Sequence, residues 1–200
     1  MKLTKELIFA CVKAFKGMVI CLKVCSSTSS LTGAIEEIVL NAEKELFLVS
    51  PYIKFTKKND KIWSTLIQGL ELTKKNGINI VFITRKPKNK TEITEIKNKL
   101  KKYADKVWLV PDLHAKCYFN GNRALVSSMN LYYHSASENF EIGVDFQGES
   151  DEESLRYIQN YINLLMDMGE EILAGTKTSG SIKLKYSETN GRYTLKSENQ

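Results

Sequence analysis

Two short, uninterrupted apolar segments constrain the fold of this chain more than any other feature. They are residues 45–53, with the sequence ELFLVSPYI, and residues 78–84, with the sequence INIVFIT. Runs of this kind without polar alternation are typical of strands buried on both faces of a parallel sheet. Residues 31–44 and 61–75 precede the two runs and are predicted to be helices. The first half of the chain therefore predicts alternating helices and strands.

The second half changes from alternation to consecutive strands. A lysine-rich helix is expected at residues 91–103, and a turn signal, Asn120-Gly121-Asn122, separates two apolar segments. The predicted strands and the last helix of this half are residues 107–110, 113–119, 123–127 and 139–146, followed by the helix 151–173. Together the two halves predict an α/β domain with a mixed β-sheet flanked by helices on both faces.

The chain divides into three regions. Residues 1–30 are predicted to form an amphipathic helix, at residues 3–15, and a short strand, which are part of the main domain or appended to it. Residues 31–174 form the predicted domain. Residues 175–200 are polar, and either a hairpin or disorder is expected there, because an isolated hairpin is marginally stable.

The N-terminal region bears on the location of the protein. Its apolar run is interrupted by Lys13 and Lys16, whereas a secretory signal needs an unbroken apolar region and a small-residue cleavage site. No apolar run reaches the roughly 18 residues that suggest a membrane span. We therefore expect a cytoplasmic protein without a membrane partner; export, or membrane association through residues 1–24, is the alternative.

The four cysteines and two histidines do not have the spacing of a metal site. Cys21 and Cys25 lack the separation of two residues that zinc-binding pairs show, and only two histidines could complete a site. We expect free thiols in a reducing compartment, and neither a metal nor another cofactor.

Charge is distributed unevenly along the chain, whose net charge is +6. Residues 54–106 contain fifteen Lys or Arg against five Asp or Glu, whereas residues 107–174 contain three basic against eleven acidic residues. A basic face of this kind suits a polyanionic partner, although charged runs are also common on ordinary solvated surfaces.

Five residues between positions 114 and 141 carry the chemistry. His114 and Lys116 lie two apart on a predicted strand, so that both side chains point to the same face. Ser128 and Asn130 repeat that spacing after the hairpin, and Glu141 lies on the next predicted strand. An imidazole, an ammonium group, a hydroxyl, an amide and a carboxylate that converge on one point suit a phosphate group.

In this order and spacing, the segment resembles the phospholipase D superfamily. The family pattern of His-x-Lys, then Gly/Ser-Ser-x-Asn, then Glu is matched by His114-Ala-Lys116, by residues 127–130 (Ser-Ser-Met-Asn) and by Glu141. Residues 50–54 (SPYIK) resemble the first half of the same family. The Asp that often follows the Lys is absent, and Asn120-Gly121 stands in its place.

The resemblance implies a role for each residue. His114 would attack phosphorus and form a phosphohistidine. Lys116 and Asn130 would hold the non-bridging oxygens, with Ser128 in support, and Glu141 would orient a histidine. No metal would be needed, because the cations of the protein would stabilise the charge.

One such motif is half of a site, because members of the family use two histidines. The only other histidine, His134, is followed two residues later by Ala136 and has no partner lysine. The resemblance therefore implies a homodimer in which His114 of each subunit contributes to one site across a two-fold interface.

The substrate is argued from the basic segments after the two apolar strands, which suit a ligand held through several phosphates. We expect a nuclease (endonuclease) that cleaves nucleic-acid phosphodiester bonds. A phospholipase D-type phospholipid hydrolase or transferase is the first alternative, and a nucleic-acid-binding module with little catalysis is the second. The candidate phosphate-binding residues are Lys54, Lys57, Lys58, Arg85, Lys86 and Lys88.

Overall fold

The computed structural model describes residues 9–13, 19–54, 61–132 and 139–174, and the backbone of residues 184–189 and 192–197. Its strands are β1 (Phe9–Lys13), β2 (Val19–Cys25), β3 (Glu45–Val49), β4 (Ile53–Lys54), β5 (Asn79–Arg85), β6 (Lys106–Val110), β7 (Cys117–Phe119), β8 (Arg123–Ser127), β9 (Leu131–Tyr132), β10 (Gly143–Gln147), β11 (Glu170–Leu173), β12 (Leu184–Thr189) and β13 (Arg192–Ser197). Its α-helices are α1 (Thr28–Leu40), α2 (Lys61–Lys75), α3 (Lys90–Leu100) and α4 (Glu152–Asp167).

Nine of the strands form one mixed sheet, in the order β1-β2-β10-β8-β7-β3-β5-β6-β11. The pairs β3–β5 and β5–β6 are parallel, and the other neighbours in this sheet are antiparallel. β4 and β9 form a separate two-stranded parallel pair at residues 53–54 and 131–132. The two apolar runs that most constrained the fold supply β3 and β5, which lie side by side at the centre.

Alternate residues of β3 point into two different cores. Leu46 and Leu48 pack with the helices α1, α2 and α3, whereas Phe47 and Val49 pack in a second cluster with α4. Because a strand directs successive side chains to opposite faces, each face of the sheet needs a cover of its own. The prediction of a mixed sheet with helices on both faces is confirmed.

The hairpin between β7 and β8 turns at the predicted position. Asn120 accepts hydrogen bonds through its side-chain oxygen from the backbone nitrogens of Asn122 (3.1 Å) and Arg123 (2.9 Å). Its amide nitrogen donates to the backbone oxygen of Ile38 near the end of α1, at 2.9 Å. Gly121 has a φ of +96°, which favours glycine. Where the family often has an Asp, this chain therefore has a turn that also ties the hairpin to α1.

The termini differ in part from the expectation. The predicted helix at residues 3–15 is wrong over Phe9–Lys13, which is the strand β1 and pairs with β2. The rest of that range lies outside the described residues. Pairing of β1 satisfies the outer backbone groups of β2, and this outweighs helical periodicity. In the tail, β12 and β13 pair antiparallel.

The last predicted helix is too long. α4 ends at Asp167, and Glu170–Leu173 forms β11, which pairs antiparallel with β6. Gly169 lies at the junction, where an added Cβ would come within 3.1 Å of both the Leu165 oxygen and Val110. This close approach lets the chain turn from the helix to the sheet edge. No helix in the part of the chain that the structure describes is long and apolar enough to span a bilayer.

Candidate active site

His114 and Lys116 lie in the connection between β6 and β7, just before β7. The predicted strand 113–119 is therefore too long, since β7 covers only Cys117–Phe119. β3 ends at Val49, the partner of Cys117, so that residues before Cys117 have no strand to pair with on that side. The two side chains are thus positioned by a loop at the end of the sheet and not by a strand.

Lys116 is almost buried, whereas His114 is exposed. Lys116 is 9% exposed, and its Nζ atom donates a hydrogen bond to the backbone oxygen of His114 at 2.9 Å. The same atom is 3.5 Å from Nδ1 of His114. Lysines are rarely buried to this extent without a specific role. The arrangement places a positive charge directly beside an accessible imidazole.

Ser128 connects the loop after β8 with the segment before β10. Its hydroxyl donates to the carboxylate of Glu141 and accepts from the backbone nitrogen of Ile142, at 3.0 Å for the latter. The backbone nitrogen of Ser128 donates to the Ile142 oxygen at 2.9 Å. Glu141 therefore lies before β10 and not on a strand as predicted. The backbone nitrogen of Ile142 donates to the Ser128 side chain and not to a backbone oxygen of β8, so the regular strand pairing begins only at Gly143.

His114, Lys116 and Ser128 line one open pocket of about 420 Å³, which we call the His114 pocket. Its far wall is formed by Tyr157 and Tyr161 of α4. Glu141 reaches this pocket through its hydrogen bond to Ser128. Asn130 is half-buried on the same loop as Ser128. The structure thus brings three of the five predicted residues to one surface and connects a fourth to it directly.

Two residues that were not predicted as functional hold the loop carrying Ser128 and Asn130. The hydroxyl of buried Tyr118 donates to the Met129 oxygen at 2.6 Å. Ser50 accepts from the backbone nitrogen of Leu131 at 3.0 Å. Burial raises the pKa of Tyr118, and its hydrogen bond with Ser50 opposes that shift. Ser50 was noted only as part of a sequence resemblance, and a tyrosine within an apolar strand gives no local signal.

A buried ion pair fixes β8 to β10 beside the site. Asp145 is bound by Nε and Nη2 of Arg123 at 2.8 and 2.7 Å, and by Lys23 at 3.1 Å. Arg123 also contacts Glu37 of α1. Burial acts to raise the pKa of Asp145, but the cations outweigh it and the pKa is lowered. Since Ser127 and Gly143 are paired at the end of the same two strands, this ion pair supports the register of the site.

Gly143 lets the strand after Glu141 approach its neighbours closely. An added Cβ would lie 2.8 Å from a methyl group of Leu31 and 3.1 Å from the Val126 oxygen. Cys117, at the floor of the His114 pocket, is buried, and burial raises the pKa of its thiol to about 12. The thiol therefore stays protonated and unreactive at neutral pH.

The predicted phosphate-binding residues are only partly brought together. Arg85 lies at the end of β5, with Nη2 3.5 Å from the carboxylate of Asp112, in the loop that carries His114. Lys86 is paired with Glu170 at 2.7 Å. Lys88 is exposed in the loop before α3, and Lys54 lines a different cleft, while Lys57 and Lys58 lie outside the described residues.

No group of three or more His, Cys, Asp or Glu side chains that could hold a metal ion occurs in the described ranges. The sequence model of the family described as "Cardiolipin synthase, PLD-like domain" matches residues 35–165 of the chain. The chain belongs to the phospholipase D-like family.

Solved structures have the same fold as this phospholipase D-like chain. Nuc from Salmonella typhimurium, a phospholipase D family member, is 12% identical with a TM-score of 0.58, covering 76% of this chain and 98% of its own. The archaeal chromatin protein TrmBL2, whose structure shows a novel mode of DNA binding, is 11% identical with a TM-score of 0.52. The match covers 76% of this chain and 53% of TrmBL2. Phosphatidylserine synthase from Haemophilus influenzae is 15% identical with a TM-score of 0.57, covering 78% and 40%.

No curated protein matches the chain by sequence. The identities to the solved structures show the fold alone. Membership of the phospholipase D-like family, together with that fold, supports a phosphodiesterase activity for this chain.

Proposed function

We propose that the protein is a metal-independent nuclease that cleaves nucleic acids through a phosphohistidine intermediate and acts as a homodimer. The observation that carries the proposal is the His114 pocket. It presents an accessible imidazole beside an almost buried ammonium group, and a hydroxyl bound to a carboxylate lies on the same surface.

In the proposed reaction, a ring nitrogen of His114 attacks phosphorus, the N–P bond forms and the bond to the leaving oxygen breaks. A second histidine gives its proton to that oxygen, and water then hydrolyses the phosphohistidine. Lys116, beside the ring, and Asn130 stabilise the negative charge that develops on the non-bridging oxygens. Glu141, held by Ser128, orients a histidine.

The second histidine is proposed to come from a second copy of the chain. Three exposed apolar side chains line the His114 pocket, which is unusual for a surface that faces water alone: Val126 on β8, and Tyr157 and Tyr161 on α4. Two more, Phe140 and Ile142, lie in the segment that is hydrogen bonded to Ser128. A two-fold contact through this surface would bring both copies of His114 to one site.

A heterodimer tests this arrangement. One subunit carries His114→Ala, the other is wild type, and the pair is isolated through two different affinity tags. A site that needs both histidines predicts that the heterodimer is inactive. Half of the wild-type activity, or full activity in a monomer, would show that each subunit contains its own site.

Nucleic acid is the proposed substrate because of the basic residues near the catalytic edge of the sheet. Arg85 contacts the loop that carries His114. Lys88 is exposed in the loop after β5, and Lys54 is exposed in β4. Cations spread in this way bind a chain of phosphates better than a single head group. The DNA binding of TrmBL2, which has the same fold, is consistent with this choice.

The deciding experiment is the cleavage of labelled single- and double-stranded DNA and of RNA in excess EDTA. Wild-type protein is compared with His114→Ala and with His134→Ala, which is the same substitution at the other histidine. We expect cleavage to survive EDTA, to disappear in His114→Ala and to persist in His134→Ala. Loss of activity in both variants would overturn the two-fold site.

A phospholipid substrate is the second candidate. The matching family is described as a cardiolipin synthase domain, and a phosphatidylserine synthase has the same fold. Hydrolysis or transfer on phosphatidylglycerol vesicles, without nucleic-acid cleavage, would favour this candidate. Salt-dependent DNA binding without either activity would instead indicate a binding module.

A further inference from the structure

A second and larger cleft lies at the same edge of the sheet as the His114 pocket. It has a volume of about 750 Å³, within the range of small-molecule sites, and lies between residues 51–54 and α3. We call it the α3 cleft. Its apolar walls include Tyr52, Ile96, Leu100 and Tyr103, and its polar groups include Glu92 and Glu95.

The α3 cleft and the His114 pocket are separated by residues 50–54. On one side this segment is hydrogen bonded to the loop that carries Ser128 and Asn130, through Ser50 and through the pairing of β4 with β9. On the other side it faces α3. The cleft lies on the face of the sheet that α3 covers, and the His114 pocket lies on the face that α4 covers. β7, which follows the loop with His114, and β5, whose end borders the cleft, are two strand spacings apart within the sheet, which is about 10 Å. A single strand that passes over this edge of the sheet, across residues 50–54, would contact both sites.

We propose that the α3 cleft binds an unpaired nucleobase of the strand whose phosphodiester bond lies at His114. This inference rests on the proposed nuclease function and extends it to a preference for single strands. A base is flat and apolar on its faces, which suits walls of tyrosine and aliphatic side chains. Tyr52 lines the cleft and is 56% exposed, so that its side chain is accessible to a stacking partner.

The two carboxylates distinguish a base from an acyl chain. Glu92 accepts from Asn89 through one oxygen at 2.6 Å, and Glu95 pairs with Lys99 through one oxygen at 3.0 Å. A carboxylate has about four acceptor positions, so both retain capacity for further donors. The N–H groups of the bases are such donors, whereas an acyl chain offers no donor to a carboxylate that it removes from water.

The test compares two substitutions of equal size on α3. Ile96→Trp fills the α3 cleft, and Thr94→Trp places the same side chain on the exposed side of the helix, outside the cleft. Short oligo(dC) and an abasic oligonucleotide of the same length are the substrates. Hydrolysis of bis(p-nitrophenyl) phosphate, which has no base, measures the reacting centre by itself. Tyr52→Ala is a second cleft variant in case Ile96→Trp fails to fold.

We expect Ile96→Trp to raise the KM for oligo(dC) about tenfold relative to Thr94→Trp. Wild-type protein is expected to show a similarly raised KM for the abasic strand. Oligonucleotide cleavage that is equally efficient in Ile96→Trp, Tyr52→Ala and Thr94→Trp would overturn the inference and leave the nuclease proposal standing.

Failure of the nuclease proposal looks different. In that case wild-type protein hydrolyses bis(p-nitrophenyl) phosphate but cleaves none of the oligonucleotides, and the base site falls with it. If Ile96→Trp instead lowers hydrolysis of phosphatidylglycerol vesicles while Thr94→Trp does not, the cleft holds an acyl chain and the nucleobase assignment is overturned.

Discussion

Lys116 donates a hydrogen bond to the backbone of His114, the residue beside which it is proposed to act. Its Nζ atom is 2.9 Å from the backbone oxygen of His114 and 3.5 Å from Nδ1 of the same residue. The contact with the backbone oxygen engages one of the three hydrogens of the ammonium group. The others can point to an oxygen of a phosphate bound at His114. The backbone contact also fixes the charge in place before any substrate arrives, which is what electrostatic stabilisation requires.

Replacement of Lys116 should therefore reduce the chemical step. We expect Lys116→Met to lower kcat about 100- to 1000-fold, as for the loss of a preorganised charge at a developing oxyanion. Lys116→Arg should not restore the rate, because a planar guanidinium cannot repeat the compact contact with His114. Both are measured on bis(p-nitrophenyl) phosphate, with circular dichroism as a control of folding. An arginine variant with near wild-type kcat would contradict the role given to this ammonium group.

Ser128 and Glu141 should behave as a unit. Ser128→Ala and Glu141→Gln are each expected to lower kcat about tenfold or more. The kcat of the double variant should be close to that of the less active single variant. The coupling free energy expected for such neighbours is about 1–3 kcal/mol. Ser127→Ala is the matched control, because Ser127 bonds the Ile142 oxygen and the Met129 nitrogen but not Glu141. If the losses of kcat in the two single variants add up in the double variant, Ser128 and Glu141 act independently.

Tyr118 is expected to support both stability and the catalytic loop. Tyr118→Phe removes the donor to the buried Met129 oxygen, and an unsatisfied buried acceptor costs about 1–3 kcal/mol in the free energy of unfolding. Urea unfolding at one protein concentration measures this loss. Tyr52→Phe, in an exposed tyrosine, should change the free energy by less than about 0.5 kcal/mol. Equal stability of the two variants would contradict the support role.

The fold could be predicted where local sequence and burial agree. The unbroken apolar runs predicted β3 and β5 because strands buried on both faces have no polar alternation. The hairpin was predictable because Asn120-Gly121 fits a turn that few other residues adopt. In contrast, β1 and β11 lie at the edges of the sheet, where pairing with a distant strand decides the structure and periodicity does not.

The site was predictable in composition and less so in geometry. The resemblance supplied His114 and Lys116, and their roles stay predictions. It could not show that both residues precede β7, because the start of β7 depends on where its partner β3 ends. The supports could not be found locally either. Tyr118 bonds a residue 11 positions away, and Ser50 one 81 positions away. Such contacts exist only once the sheet order is set.

Asp145 should make stability depend on pH in the acid range. Its pKa is lowered in the folded state, because the bonds to Arg123 and Lys23 outweigh its burial, and the unfolded value is about 3.9. The contribution is therefore fully present above about pH 5 and is lost as the pH falls through the folded pKa. We expect wild-type stability to decrease steeply below about pH 4, and Asp145→Asn to show a shallower decrease.

At neutral pH the same substitution leaves Arg123, which is largely buried, without its main partner. We expect Asp145→Asn to lower the free energy of unfolding by about 3 kcal/mol at pH 7. Asp112→Asn is the control, because Asp112 is exposed and its pair with Arg85 should contribute less than about 1 kcal/mol. Urea unfolding from pH 7 to pH 3, at constant protein concentration, measures both. Parallel pH profiles for wild type and Asp145→Asn would show that other carboxylates control acid unfolding.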